Sequence, residues 1–301
     1  MKKQLSILIP IYNESCVSLV EQLHRQAEEL SIDYEIIVAD DGSTVEASKV
    51  DNRRINSLSH CIFWERGFNV GRAAIRNALV GRSQYSRLLL IDGDLSVERN
   101  DFLRRYLSTE GDVVVGGIEI AADADCRLKG NLRFIYEKRN ESLHTPEKRR
   151  ERPYDDFHTA NFLICRRVML ANLFDERFSR YGYEDVALGR QLKQSKASIV
   201  HIDNPVLFNR FESNESFLAK TDQAMLTLVE LKSLLVGVSR LLDTAFRLRR
   251  YRLDLPLRLV FSLLRVPIRK NLCGRRPLLP LYNIYKLGVL LSNRNLFVGG
   301  G

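Results

Sequence analysis

The chain has 301 residues, 45% of them hydrophobic and 28% charged, a make-up that fits a folded globular protein and excludes global disorder. Its net charge of +9 is unevenly spread: between Arg240 and Arg276 eleven basic residues stand against two acidic ones, and the remainder is balanced at 35 of each sign. The five cysteines (Cys16, Cys61, Cys126, Cys165, Cys273) are odd in number, scattered and without a C-x-x-C pair, which argues against a disulfide framework or a zinc site and for a reducing, cytoplasmic compartment.

Met1-Lys2-Lys3 runs straight into a strand-like segment, so no signal peptide is expected, and no stretch reaches the roughly 18 uninterrupted apolar residues of a spanning helix. Leu5–Ile9 reads as the first strand and Val17–Leu30 as a helix, with Val17, Val20, Leu23, Ala27 and Leu30 on its apolar side. Tyr34–Ala39 is a second strand, ending at the turn Asp40-Asp41-Gly42-Ser43-Thr44, and Cys61–Trp64 a third. A helix over Gly71–Val80 leads to a fourth strand, Arg87–Ile91, and Asp112–Val115 makes a fifth. Short β-branched runs alternating with helical patterns predict an α/β fold, with a mostly parallel sheet covered by helices.

The second half is less regular. Arg127–Arg152 reads as a charged, solvated helix and loop, His158–Cys165 as a strand, Tyr183–Gln194 as a helix, Ala197–Ile202 as a strand, and Ser216–Leu235 as a long amphipathic helix. Beyond it, Leu257, Val260, Phe261 and Leu264 recur at helical spacing between Pro256 and Pro267, which predicts a short helix; Leu281, Ile284, Tyr285 and Gly288 continue similarly. Gly299–Gly301 read as tail.

Ligands bind at the carboxyl ends of strands in open α/β sheets. Asn13-Glu14, Asp40-Asp41, Asn69 and Asp92-Gly93-Asp94 all follow strands, so they are expected to converge on one crevice. Asp92 and Asp94, flanking Gly93, can share a hard divalent cation that neutralises a diphosphate, although D-x-D alone also reads as a plain turn. Asp40 reads either as part of a helix-capping turn or as an acceptor for a base N–H or ribose hydroxyl. No G-x-G-x-x-G or G-x-x-x-x-G-K-[ST] is present, so dinucleotide and P-loop readings lose their phosphate cradle. Glu184 and Asp185 open a helix, where acids are either dipole partners or, beside a diphosphate, a base for an acceptor hydroxyl. Arg72 at a helix start suits a diphosphate. Arg76 reads as a surface cation paired with a carboxylate. His24, His60 and His144 read as satisfied or exposed; His158 and His201, at strand borders, stay open.

Taken in order, Ile7-Leu8-Ile9-Pro10-Ile11-Tyr12-Asn13-Glu14, Asp40-Asp41-Gly42-Ser43-Thr44, Asn69-x-Gly71, Asp92-Gly93-Asp94 and Gly182-Tyr183-Glu184-Asp185 resemble family 2 glycosyltransferases of the GT-A fold over residues 4–215. The resemblance implies that Pro10, Tyr12 and Glu14 line a nucleotide pocket, with Arg72 and Gly93 on the donor side. It puts Asp40 at the base with Asp41 beside it, Asp92 at the ribose or metal, and Asp94 on Mn2+ or Mg2+. Asp185 becomes the general base of an inverting transfer, with Glu184 and Asn161 on the acceptor side. The slot where several relatives carry a further histidine ligand, after Pro205, holds Phe208-Asn209, and His201 comes earlier, which leaves the metal shell open.

The implied partners are a nucleotide-sugar donor, with UDP-sugars foremost, and a glycan or lipid-linked acceptor in cell-surface polysaccharide synthesis. The implied organisation is a catalytic domain over 1–235, with a donor half of about 1–118 and an acceptor half of about 119–235, then a basic amphipathic helical region over 236–301. Residues 240–291 suit an anionic membrane surface at the inner face of the plasma membrane, where each nearby Lys or Arg adds about 1 kcal/mol; packing on protein, including a second copy of the chain, is the other reading. Sparse aromatics among many leucines argue against nucleic acid. A sugar nucleotidyltransferase would need a glycine-rich basic loop after the first strand, which Pro10–Glu14 does not offer. A non-catalytic binding subunit of a polysaccharide-synthesis complex is the other rival.

Overall fold

A computed structural model describes residues 3–122 and 127–297; Met1, Lys2, Cys126 and Gly299–Gly301 lie outside the described residues. The chain forms two compact units, one of Met1–Ala121, Leu143–Ser179 and Glu184–Arg210, the other of Ala122–Ser142, Arg180–Tyr183 and Phe211–Gly301.

The first unit is built on strands β1 (Gln4–Ile11), β2 (Asp33–Asp40), β3 (Cys61–Glu65), β4 (Arg87–Ile91), β5 (Val113–Val115), β6 (Ile118–Ile120), β7 (Asn161–Cys165), β8 (Ile199–His201) and β9 (Val206–Phe208). Seven of them form one sheet in the order β3-β2-β1-β4-β7-β5-β8, and β6 pairs with β9 in a second. The sheet is mixed and mostly parallel: β7 alone runs antiparallel to its neighbours β4 and β5. Runs such as Leu88-Leu89-Leu90-Ile91 and Val113-Val114-Val115 are buried on both faces, as strands covered by helices on either side require. The strand order reverses between β1 and β4, the switch point at which such sheets open a crevice.

The five strands expected in the first half are present within a residue or two. The three-residue strands β6, β8 and β9 are too short for their alternation to mark them in full, and β7 begins only at Asn161 because residues 159–160 form a turn. The Arg127–Arg152 segment departs from the solvated reading. Its helix Leu132–Asn140 buries Leu132 and Phe134, and Arg149, in the helix Pro146–Glu151, is 1% exposed.

The second unit is helical, with Leu132–Asn140, Asn214–Glu230, Arg240–Arg250, Asp254–Leu272 and Leu279–Ser292 as its main elements. Its core gathers Leu132, Phe217, Leu218, Phe261, Ile268, Leu272, Tyr282 and Tyr285. The helix expected over Ser216–Leu235 is capped by Ser213 and stops at Glu230, and its apolar face packs among the C-terminal helices.

The prolines do not bracket a short helix. A 19-residue helix, Asp254–Leu272, contains both, because Pro256 sits in the first turn, where its missing N–H has no partner to lose, and Pro267 forfeits one rung that the flanking turns outweigh. The expected stripe is also corrected: only Phe261 of the four is buried, and the packed side is Asp254, Phe261, Ile268 and Leu272. Gly288 permits this contact, since a Cβ there would lie 2.2 Å from the Phe261 ring. Gly288→Ala is therefore expected to destabilise this unit by about 1–3 kcal/mol, read as a lower midpoint in thermal unfolding.

Candidate active site

The crevice at the β1/β4 switch is assembled by loops that hydrogen-bond one another. After β1, Asn13 adopts φ 58°, and its side-chain carbonyl accepts from the backbone N–H of Thr44 (2.7 Å) and Val45 (3.1 Å), while its own N–H donates to Ser43 Oγ at 2.7 Å. Gly42 holds φ 72° in the β2 turn, where a Cβ would meet the Phe68 backbone at 2.4 Å. Gly93 N–H donates to Pro10 O at 3.4 Å, and a Cβ there would strike Ile11 at 2.4 Å, so glycine is needed for β4 to end this close to β1.

Asp40 and Asp41 are both buried but differ in what they bind. Asp41 receives the backbone N–H of Val70 (2.8 Å) and Gly71 (3.0 Å), one on each carboxylate oxygen, and so ties the Asn69 loop to the start of the helix Arg72–Arg82. Burial raises its pKa, and those two amides oppose the rise. Asp40 is fully buried; its Oδ1 accepts from the Ser43 N–H at 3.0 Å and from the Ser43 hydroxyl, while its Oδ2 is buried with no hydrogen-bond partner. A buried carboxylate oxygen without a donor costs free energy, which an N–H or O–H from a ligand relieves. Nearby, Tyr12 is 47% exposed, and Glu14 pairs with Arg210 at 2.8 Å.

Arg76, expected at the surface, is 2% exposed. It lies 2.5 Å from Asp92 Oδ1 and 3.7 Å from Glu184 Oε1; Arg72 reaches the same Glu184 oxygen at 3.5 Å. One buried guanidinium thus joins the strand-end carboxylate Asp92 to the first turn of the helix Glu184–Gln194. Asp94 follows, half-buried, ahead of a bridge in which Ser96 and Leu207 exchange backbone hydrogen bonds; Asn209 donates to Ser96 Oγ at 3.3 Å.

Asp185, next to Glu184, lies 3.7 Å from His158 Nδ1, and His158 Nε2 lies 3.4 Å from His144 Nδ1. Burial alone would raise the Asp185 pKa. The hydrogen bond and charge of His158, the Val186 N–H and the charge of Arg76 outweigh it and hold the carboxyl below the usual carboxylate range.

Two residues weighed from the sequence are engaged elsewhere. Asn161 is 1% exposed, donating to Gly117 O (2.9 Å) and Asn204 O (3.0 Å) and accepting from Tyr106 at 2.6 Å. His201 is also 1% exposed: Nε2 donates to Pro153 O at 3.0 Å, Nδ1 accepts from Arg149 at 3.1 Å, and burial pushes its pKa down to about 4, so it is a neutral ring with both nitrogens used. Arg149 also donates to Val115 O, Gly116 O and Ile202 O at 3.0–3.1 Å and to His144 O at 3.1 Å. Arg149→Met strands these acceptors and is expected to cost about 3–5 kcal/mol, measurable by denaturant unfolding.

Among the described residues, no three His, Cys, Asp or Glu side chains come together as a metal site. Mg2+ and Mn2+ prefer oxygen ligands, and Mg2+ is commonly held by one or two carboxylates with substrate phosphates and water supplying the rest. Asp92 and Asp94 are the carboxylates that flank Gly93 at this strand end, and Asp92 Oδ1 is taken by Arg76.

The expected carboxylate partner of Arg76 is Asp92, but its burial, His144 behind His158 and Arg210 on Glu14 are not visible in the sequence. For Arg76 a signal existed: it occupies the same helical face as the buried Ala73, Leu79 and Val80.

The fold and sequence have known counterparts. In structure the chain is similar to residues 1–349 of S. aureus TarS, at a TM-score of 0.52 and 14% identity over 96% of this chain and 89% of that one, and to the same protein in complex with UDP at the same TM-score and identity. It is likewise similar to a mannosyltransferase from Pyrobaculum calidifontis in complex with GDP-Man and Mn2+, at 0.50 and 13% identity over 97% and 70% of the two chains. These likenesses carry the GT-A fold. In sequence the chain is 22% identical over 222 residues to a chondroitin synthase of Escherichia coli, covering 62% of this chain and 32% of that protein, so it spans about a third of that relative's length. The model of glycosyl transferase family 2 matches residues 6–174, more than half of the chain, which therefore belongs to that family of transferases.

Proposed function

We propose that the protein is an inverting glycosyltransferase that moves a sugar from a nucleoside-diphosphate sugar, UDP-sugars foremost, to a hydroxyl of a glycan or lipid-linked acceptor in cell-surface polysaccharide synthesis. The single observation that supports this reading is the buried Arg76, 2.5 Å from Asp92 and 3.7 Å from Glu184, which joins the strand-end Asp92 to the helix turn that carries Glu184 and Asp185.

In this reading Tyr12 offers an exposed ring for stacking on the base, Asp40 Oδ2 accepts from a base N–H, and Pro10, Gly93 and Glu14 shape the pocket. Asp41 holds the loop from which the Arg72–Arg82 helix starts, aiming Arg72 at the diphosphate. Asp94, with Asp92, would hold Mn2+ or Mg2+, which when bound supplies charge neutralisation for the leaving diphosphate. Asp185, ionised, takes the proton from the acceptor hydroxyl. That oxygen bonds to the anomeric carbon as the bond from this carbon to the diphosphate oxygen breaks, and nucleoside diphosphate leaves. Glu184, clamped by Arg72 and Arg76, orients the helix turn that carries the base. The protein works in the cytoplasm, peripherally at the inner face of the plasma membrane.

A thermal-shift screen of UDP- and GDP-sugars with and without Mn2+ tests the donor class. The reading predicts a metal-dependent stabilisation of about 2–4 kcal/mol by at least one nucleotide-sugar at saturating donor, read as a higher midpoint. A flat response to every donor in either metal condition would sink it.

A further inference from the structure

The helix Asp254–Leu272 packs along one narrow side and turns the rest of its apolar surface outward. Asp254, Phe261, Ile268 and Leu272 are buried, whereas Leu255, Leu259, Leu263 and Val266, at i, i+4, i+8 and i+11, are 58%, 65%, 72% and 75% exposed. Val260 and Leu264 widen the same outward face, at 51% and 47%. A face of this kind on a folded protein marks a binding surface rather than scattered exposed residues.

The charge around it identifies the partner. Lys270, one turn beyond Val266 on the same side, is exposed, and Arg250 and Arg252 are exposed in the segment that leads into the helix. Of the two acids between Arg240 and Arg276, Asp254 is fully buried and paired with Arg249 at 2.9 Å, and Asp243 accepts the Gly237 N–H at 3.0 Å. The surface offered outward is therefore leucine and valine edged by cations. A second copy of the same face would bring like charges together, and an acidic protein would meet leucines where it needs cations. An anionic bilayer meets both halves, with headgroups against the arginines and acyl chains against the leucines. No helix among the described residues is long and apolar enough to cross a membrane, so this one lies in the interface plane.

We infer that the Leu255–Leu259–Leu263–Val266 face of this helix docks on anionic phospholipid. The inference rests on the proposed peripheral attachment, and the transfer chemistry is independent of it. It differs from the stripe expected from the sequence, whose Phe261 is turned inward.

Vesicle flotation tests it, with the full chain and the Leu259→Glu/Leu263→Glu variant on phosphatidylcholine vesicles with and without phosphatidylglycerol. Both substitutions sit at exposed helix positions, so circular dichroism, thermal midpoint and nucleoside-diphosphate release should match the unaltered protein. The unaltered protein is expected to float with phosphatidylglycerol vesicles, and recovery should fall about tenfold or more both on phosphatidylcholine alone and in the double variant. No flotation of the unaltered protein with either vesicle overturns the peripheral attachment itself, and equal recovery with both overturns the choice of anionic lipid. Undiminished flotation of the variant overturns the assignment of this face. A dimer by light scattering that the variant abolishes, with no flotation of either protein, overturns it in favour of self-association.

Discussion

Asp185→Asn is expected to lower the transfer rate about 10²- to 10⁴-fold, the range a lost general base commands, while nucleotide binding holds within about twofold. The substitution keeps shape and removes only the ability to take a proton, so the loss should fall on kcat rather than KM. The pH profile adds a sharper test. The base works ionised, and its pKa is held below the usual carboxylate range because His158, Val186 N–H and Arg76 outweigh the upward push of burial. Activity should therefore persist as pH falls through the ordinary carboxylate range and be lost only below it. His158→Ala removes the largest of the lowering influences, so the acid limb should move to higher pH; an unmoved limb would exclude Asp185 as the group it reports.

Asp94→Ala should abolish metal-dependent nucleoside-diphosphate release, a drop of about 10²-fold or more if the metal supplies several kcal/mol of leaving-group stabilisation. Asp92→Ala behaves differently. Asp92 is the close partner of Arg76, a guanidinium 2% exposed, so its removal leaves a buried cation with Glu184 as its remaining carboxylate at 3.7 Å. That loss should cost about 3–5 kcal/mol of stability as well as activity. Release measured across a Mn2+ titration tests the metal role of Asp94, and denaturant unfolding tests Asp92→Ala: unchanged stability of that variant would contradict its pairing with the buried Arg76.

The polar turns of the crevice were open to reading because each ends a strand whose apolar run is continuous. Ile7-Leu8-Ile9, Ile36-Ile37-Val38 and Leu88-Leu89-Leu90 mark their own positions, and the polar residues that follow must then lie at one edge of the sheet. Arg149 was not open to reading. In the run Lys148-Arg149-Arg150 each cation looks alike, and the one that is buried is chosen by carbonyls of Val115, Gly116 and Ile202, far off in sequence. His201 and Asn161 could not be decided for a related reason: polar residues at strand borders suit ligation and internal bonding equally, and only tertiary partners show which bonds they make. The helix Asp254–Leu272 carries apolar residues around most of its circumference, so periodicity could not pick the packed side; Gly288, by admitting the Phe261 ring, did.

In the crevice at the β1/β4 switch, the proposed nucleotide-sugar site, the buried Asp40 Oδ2, which has no hydrogen-bond partner, would receive a base N–H. Calorimetric titration of UDP in Mn2+, with the unaltered protein and with Asp40→Asn, tests this most directly. Asparagine fits the same space and can still accept from Ser43, but it presents a donor where the base needs an acceptor. The account predicts one UDP bound per chain and an affinity about 10- to 100-fold weaker in the variant. Undiminished binding by Asp40→Asn, or no binding by the unaltered protein, would contradict it.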